Sequence, residues 1–188
     1  ISQVESYVAT QKVAPLLNKG IASRFTDAVS SFTKSKGLKS IAGTNNPDGY
    51  GVTPTIFVVN WADVNNYHDL LEEHFGPTSV IIRVAYDQFL TVANAMAGQL
   101  TAALHAGANE NVKELVNKLS QLAGRVIWNG FPTAVSVTAA QNHGGQWPAS
   151  STHTTSVGLD ALYRFVRPVV YQNFPDNQLP AELQNSNP

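Results

Sequence analysis

QLTAALHAGANENVKELVNKLSQLAGRVIWNG, residues 99–130, runs through strand, helix and strand periods without a break. Residues 99–106 read as a short strand. Residues 109–122 then place Val112, Leu115, Leu119 and Leu122 on one helical face, with Asn109 as a candidate N-cap and Gly124 past the end. Residues 125–130, RVIWNG, return to a strand pattern. Upstream, SVIIRVA (79–85) reads as a strand and YDQFLTVANAMAG (86–98) as a helix stopped by Gly98. A β-α-β-α-β order implies an α/β sheet of largely parallel strands joined by crossover helices. In such sheets the carboxyl ends of the strands host sites. The long loop after Asn129 (129–158) is therefore expected to face the chemistry.

Farther out, residues 14–35 place Leu16, Ile21, Phe25, Val29 and Phe32 at helical spacings, with Gly20 a weak point. GTNNPDGYG (43–51) concentrates turn residues, and VTPTIFVVNW after it is β-branched and aromatic, with Pro54 marking an edge or a strand start. EEHFGPTSV (72–80) leads two carboxylates, a histidine and a phenylalanine into a Gly76-Pro77 turn before a buried strand. At the far end, LDALYRFVRPVVYQNFP reads as a short helix running into an extended segment, Arg167 to Phe174, with no later strand to pair with. Such a strand adds to a sheet edge in its own subunit or another. The polar tail after Pro175 is expected to fray.

Composition bounds the function classes. The chain has 188 residues, 43% hydrophobic and 13% charged, enough for a substantial core. Its 12 basic and 13 acidic residues are interspersed, so no phosphate-neutralising face arises and nucleic acid is not an expected partner. No apolar run reaches membrane-spanning length and ISQVESYVATQ lacks the pattern of a secretory leader, so no membrane association is expected and the cytoplasm is the expected location. With no cysteine, disulfides, thiolate metal sites and a thiol nucleophile are excluded within these residues.

Several chemical constellations fall away on spacing. His68 and His74, near Glu72 and Glu73, do not have the HExxH arrangement, and no metal site is expected. No G-x-S-x-G elbow occurs, and neither phosphate-cradling glycine motif is present. Gly144-Gly145 after His143 would permit close backbone approach to a ligand, although a plain turn is what glycines serve by default.

The order of three segments resembles a known superfamily. Glu73-His74-Phe75-Gly76-Pro77, the strand start at Gly98-Gln99-Leu100-Thr101-Ala102, and Ala123-Gly124-Arg125-Val126-Ile127-Trp128-Asn129 are similar to the E-x-F-G-P, G-L-x-A and A-G-x-V-x-x-N landmarks of aldehyde dehydrogenases. Asn129-Gly130-Phe131-Pro132-Thr133, His143-Gly144-Gly145, Thr154-Thr155-Ser156-Val157-Gly158, Arg164-Phe165 and Arg167-Pro168-Val169 resemble the branch that includes α-ketoglutarate-semialdehyde (2,5-dioxovalerate) and NADP-preferring fatty-aldehyde dehydrogenases.

The resemblance implies a partial catalytic domain over residues 1–166, an oligomerisation arm over 167–176 and a polar tail over 177–188. It implies that Glu73 accepts hydrogen bonds from the nicotinamide ribose of NAD or NADP and that Phe75 packs beside the ring. Phe131 and His143 become candidate walls of the substrate pocket, His143 either favouring an anionic substrate or only packing its loop. Family enzymes oxidise an aldehyde to a carboxylate through a cysteine thioester, with a glutamate as general base. Both groups precede the matched region, so no catalytic residue is expected here. The isolated chain is expected to be inactive and to bind no cofactor by itself, while a homo-oligomer is expected through the arm. A standalone, non-catalytic assembly module built from the same fold is the alternative.

Overall fold

Phe57, 1% exposed, lies at the centre of the first of two units in the computed structural model, which describes residues 1–67 and 69–187. The units are Ile1–Val92 and Ala93–Pro188. In the first, helices α1 (Ser2–Ala9) and α2 (Lys19–Lys34) precede strands β1 (Lys39–Ala42), β2 (Thr55–Asn60) and β3 (Thr78–Arg83). The sheet order is β1-β2-β3. β1 runs antiparallel to β2, with Lys39 opposite Val58, and β3 runs parallel to it, with Thr55 opposite Thr78.

The central strand is buried on both faces, as its apolar run TIFVVN requires. Phe57 and Val59 join Phe32, Leu38, Val64 and Leu70 in one core cluster. Val58 joins Val8 and Ile41 in another, with Val4, Ile56 and Ile81 packed around it. Phe32 meets Phe57 edge to face with ring centroids 5.4 Å apart. Such pairs add roughly 0.5–1.5 kcal/mol beyond the area they bury.

Helix α2 begins at Lys19, later than its apolar spacing predicts. Asn18 is extended and its Oδ1 accepts a hydrogen bond from the Ile21 amide at 3.0 Å, which fixes the N-cap. Leu16 is thereby left before the helix, its amide bonded to the Tyr50 carbonyl. The 43–51 turn forms as expected. Buried Asn46 organises it, donating to the Val13 carbonyl at 2.7 Å and accepting from the Asp48 amide at 3.0 Å. Pro54 immediately precedes β2, the strand-start alternative, so its missing N–H interrupts no ladder bond.

A 3-10 turn (Tyr86–Gln88) and helix α3 (Phe89–Ala95) follow, and the division between units falls within α3. In the second unit β4 (Gln99–Leu104), helix α4 (Lys113–Leu122) and β5 (Ala123–Trp128) make the β-α-β unit expected from residues 99–130. β4 and β5 are parallel, Gln99 opposite Ala123 and Leu104 opposite Trp128, and α4 packs on both.

Two expectations are corrected here. Among the described residues the strands form two sheets rather than one, because β3 pairs with β2 and β4 pairs with β5. Asn109 caps nothing: the Glu110 amide bonds back to the Gly107 carbonyl in a turn, and α4 starts at Lys113. Gly124 lies past the end of α4, as expected, and is the second residue of β5.

Residues 159–164 form the expected short helix, as a 3-10 turn. Residues 167–174 form no ladder with another strand among the described residues, and Val169, Val170 and Phe174 are exposed. In the tail two 3-10 turns form, tied where Asp176 Oδ1 accepts from the Asn185 amide at 2.8 Å.

Candidate functional site

In the first unit, one face of α2 presents Ile21, Arg24 and Phe25, at the i, i+3, i+4 spacing that stacks side chains on a helix. Opposite them run Glu73, His74 and Phe75, and the two sets line a cavity of about 360 Å³. Gly76 follows Phe75 in the chain and lies against Phe25, one of the lining residues. With φ +150° it holds a conformation that side chains rarely adopt, and a Cβ there would overlap the Phe25 ring. The Gly76-Pro77 turn is therefore locked onto α2, and the Pro77 carbonyl accepts from the Thr55 amide at 3.0 Å as β3 begins.

The three residues before that turn divide their roles. His74 turns inward: its Nε2 lies 2.9 Å from the Asp69 carbonyl oxygen, and its ring meets Phe32 edge to face at 5.2 Å. Its neighbours Glu73 and Phe75 stay outward, Phe75 at 68% exposure. An anchored residue between two exposed ones presents a carboxylate and an aromatic ring from one short, fixed segment. Among the described residues no group of three His, Cys, Asp or Glu is placed to hold a metal ion, and His68 lies outside those residues.

In the second unit the carboxyl edge of β4–β5 is closed by Asn129. Its amide donates to the Leu104 carbonyl at 2.9 Å. Its side chain then continues the ladder, Oδ1 accepting from the Ala106 amide at 2.9 Å and Nδ2 donating to the Ala106 carbonyl at 3.0 Å. Asn129 holds φ +48°, a left-handed conformation that asparagine tolerates better than most residues. The clamp brings His105, just past β4, against Phe131, just past β5, with ring centroids 5.3 Å apart. Phe131 is 77% exposed and His105 is exposed.

His143 lies at the other end of the same strands. Gly145 bridges Ala123, the first residue of β5, and Asn142 Nδ2 donates to the Gly124 carbonyl at 2.7 Å. The His143 amide donates to Thr155 Oγ1 at 2.7 Å, and the His143 carbonyl accepts from the Ser156 amide at 3.1 Å. The two candidate pocket walls, Phe131 and His143, are thus separated by the length of β5, roughly 16 Å at ~3.3 Å per residue. Arg125 steers the loop between them, its guanidinium donating to the Ala134 carbonyl at 2.7 Å.

The glycines on this path serve backbone packing. A Cβ on Gly98 would overlap the Gln146 and Trp147 carbonyls, one on Gly124 the Gly144 carbonyl, and one on Gly145 the Gln99 carbonyl. Beside this seam lies a cavity of about 710 Å³, with Asn142, Gly144, Trp147 and Thr152 among its lining residues and neither His143 nor Phe131. Sequence reading missed His105 and the pair of hydrogen bonds from the Asn129 side chain. The signal for both was their place, immediately after parallel strands.

The solved structures that this chain is similar to include lactaldehyde dehydrogenase from Escherichia coli, with a TM-score of 0.65 at 19% identity, covering 92% of this chain and 37% of that one. Another is the Delta-pyrroline-5-carboxylate dehydrogenase from Mycobacterium tuberculosis bound with NAD, with a TM-score of 0.63 at 18% identity, covering 88% of this chain and 31% of that one. In sequence, the chain is 38% identical over 181 residues to the alpha-ketoglutaric semialdehyde dehydrogenase of Acinetobacter baylyi, covering 92% of this chain and 34% of the relative. Over 120 residues it is 48% identical to alpha-ketoglutaric semialdehyde dehydrogenase 2 of Azospirillum brasilense, covering 62% of this chain and 23% of that protein. The chain thus spans about a third or less of the length of these curated relatives. A match to the aldehyde dehydrogenase family runs over residues 4–169 and takes in both sheets, the Glu-x-Phe-Gly-Pro turn and the Asn129 clamp: the chain belongs to that family.

Proposed function

We propose that this chain is the C-terminal portion of an NAD(P)-dependent aldehyde dehydrogenase that oxidises an aldehyde to a carboxylate, with an α-keto acid semialdehyde as its substrate class. The observation that carries the reading is the outward pair Glu73 and Phe75 beside a cavity of about 360 Å³. That size lies within the ~300–1,000 Å³ of small-molecule sites.

The residues present fit a nicotinamide riboside. An ionised Glu73 is acceptor-only and ribose hydroxyls are donors, so two oxygens can fix the sugar, while the free face of Phe75 can cover the nicotinamide. The nucleotide, when bound, supplies the hydride acceptor. Glu73 orients and Phe75 excludes water; inward-facing His74 takes neither part. The nucleophilic cysteine and the general-base glutamate belong to the remainder of the full-length protein, which leaves the isolated chain inactive and without bound cofactor. Of the two pocket candidates, Phe131 has the placement of a substrate wall at the carboxyl edge, and His143 that of a loop residue packed at the amino edge. Residues 167–176 form an arm that pairs with a neighbouring copy, in keeping with their exposed apolar side chains.

The test is NAD(P)H production by the full-length protein on α-ketoglutaric semialdehyde and on a long-chain aldehyde, wild type against Glu73→Ala. Turnover is expected on the semialdehyde, with at least about a tenfold rise in the KM for NAD(P) in the variant. Turnover on neither aldehyde would discard the dehydrogenase reading in favour of a non-catalytic assembly module.

A further inference from the structure

We infer that His105 is a specificity-determining residue, whose imidazole donates a hydrogen bond to the carboxylate of an acid-bearing aldehyde while Phe131 covers the aliphatic carbons beside it. The inference rests on the dehydrogenase reading and adds to it the group that selects the substrate class.

Three observations support the assignment. First, the placement: His105 and Phe131 follow the last residues of two paired parallel strands, Leu104 and Trp128 being opposite each other in register. Ligands gather outside that edge in parallel α/β sheets. Second, the geometry is held rather than incidental. Asn129 spends both ends of its carboxamide on the Ala106 backbone, next to His105, while its own backbone leads through Gly130 into Phe131. One residue therefore sets the positions of both rings, 5.3 Å apart. Third, the pair is not spent on the core. Phe131 is 77% exposed and His105 is exposed, which is poor use of two rings for stability and good use of them as a surface.

The chemistry narrows the ligand. A neutral imidazole carries one N–H donor, so it can recognise a carboxylate without a change of protonation, and hydrogen bonds to an ionised acceptor are roughly twice as strong as neutral ones. An aromatic face beside the donor suits a short methylene chain. Together they fit a semialdehyde with a carboxylate at its far end better than an uncharged alkyl aldehyde.

The experiment uses the full-length protein with His105→Phe and His105→Gln, measuring kcat and KM on α-ketoglutaric semialdehyde and on pentanal. Expected is a loss of about tenfold or more in kcat/KM for the semialdehyde in His105→Phe, carried by KM, with pentanal unchanged or improved. His105→Gln keeps an N–H donor and should recover part of the loss, a pattern that simple damage to the fold would not give. Wild type active on both aldehydes, with the same preference in His105→Phe, overturns this inference alone. Wild type idle on both overturns the dehydrogenase reading, and this inference with it.

Discussion

Asn129 and Ala106 are joined as two strand residues would be, except that one partner contributes a side chain. Oδ1 accepts from the Ala106 amide at 2.9 Å and Nδ2 donates to its carbonyl at 3.0 Å. The carboxamide thereby extends the β4–β5 ladder past the point where the backbone leaves it. Asn129→Gly keeps the freedom to hold φ +48° but loses both bonds, and it should cost about 1–2 kcal/mol. Asn129→Ala should cost roughly 1 kcal/mol more, because alanine pays for the left-handed backbone as well. Urea unfolding midpoints of the two variants check this; equal midpoints would mean that the backbone conformation is no part of the cost.

Gly76 and Phe25 should behave as a coupled pair. Gly76→Ala drives a methyl group into the Phe25 ring and is expected to destabilise by about 1–3 kcal/mol, plus the strain of its backbone. Phe25→Leu in the same chain should relieve part of the steric cost. A double-mutant cycle that gave strictly additive losses would show that the ring is not what demands glycine.

Phe57 is the most buried large side chain of the first unit, so Phe57→Ala should cost about 3–5 kcal/mol. Phe57→Leu keeps most of the volume and should cost less than half as much. Thermal or denaturant unfolding followed by near-ultraviolet dichroism would separate the two. A loss under about 1 kcal/mol for alanine would place the core elsewhere.

Glu5 gives a pH signature. The Lys39 ammonium, through a hydrogen bond first and its charge besides, holds the exposed Glu5 carboxyl below the ordinary glutamate range. A lowered folded value means that the unfolded chain binds more protons in the acid window. The contribution is therefore present above the ordinary glutamate range and lost as pH falls through the folded value. Glu5→Gln should flatten stability against pH between those two points and leave the slope above them untouched. High salt should do the same to the wild type, because the pair is at the surface. An unchanged acid slope in the variant would remove the pair from the account.

Much of this was legible in the sequence. The β4-α4-β5 unit, the 43–51 turn and β2 follow from periodicity and turn chemistry. Two elements gave no signal. β1 is four residues long and includes a lysine and a serine, too short to show alternation, and it meets β2 across a connection with no hairpin signature. α1 presents only Val8 to the core as a fully buried residue, so its apolar stripe is thin. The separation of Phe131 from His143 was illegible for another reason. It depends on Arg125 and the glycine contacts drawing the loop back along β5, and those contacts are distant in sequence.

The glycine contacts at Gly98, Gly124 and Gly145 set a lopsided rule for change. Most packed surfaces are filled by atoms, and an enlarged residue on one side can be offset by a trimmed residue on the other. Here the nearest atom at each position is a backbone carbonyl oxygen, 2.1–2.3 Å from where the Cβ would sit. A carbonyl oxygen cannot be trimmed by substitution. These positions have no compensating partner, so the path of the loop around Trp147 is tied to that of the strands it rests on.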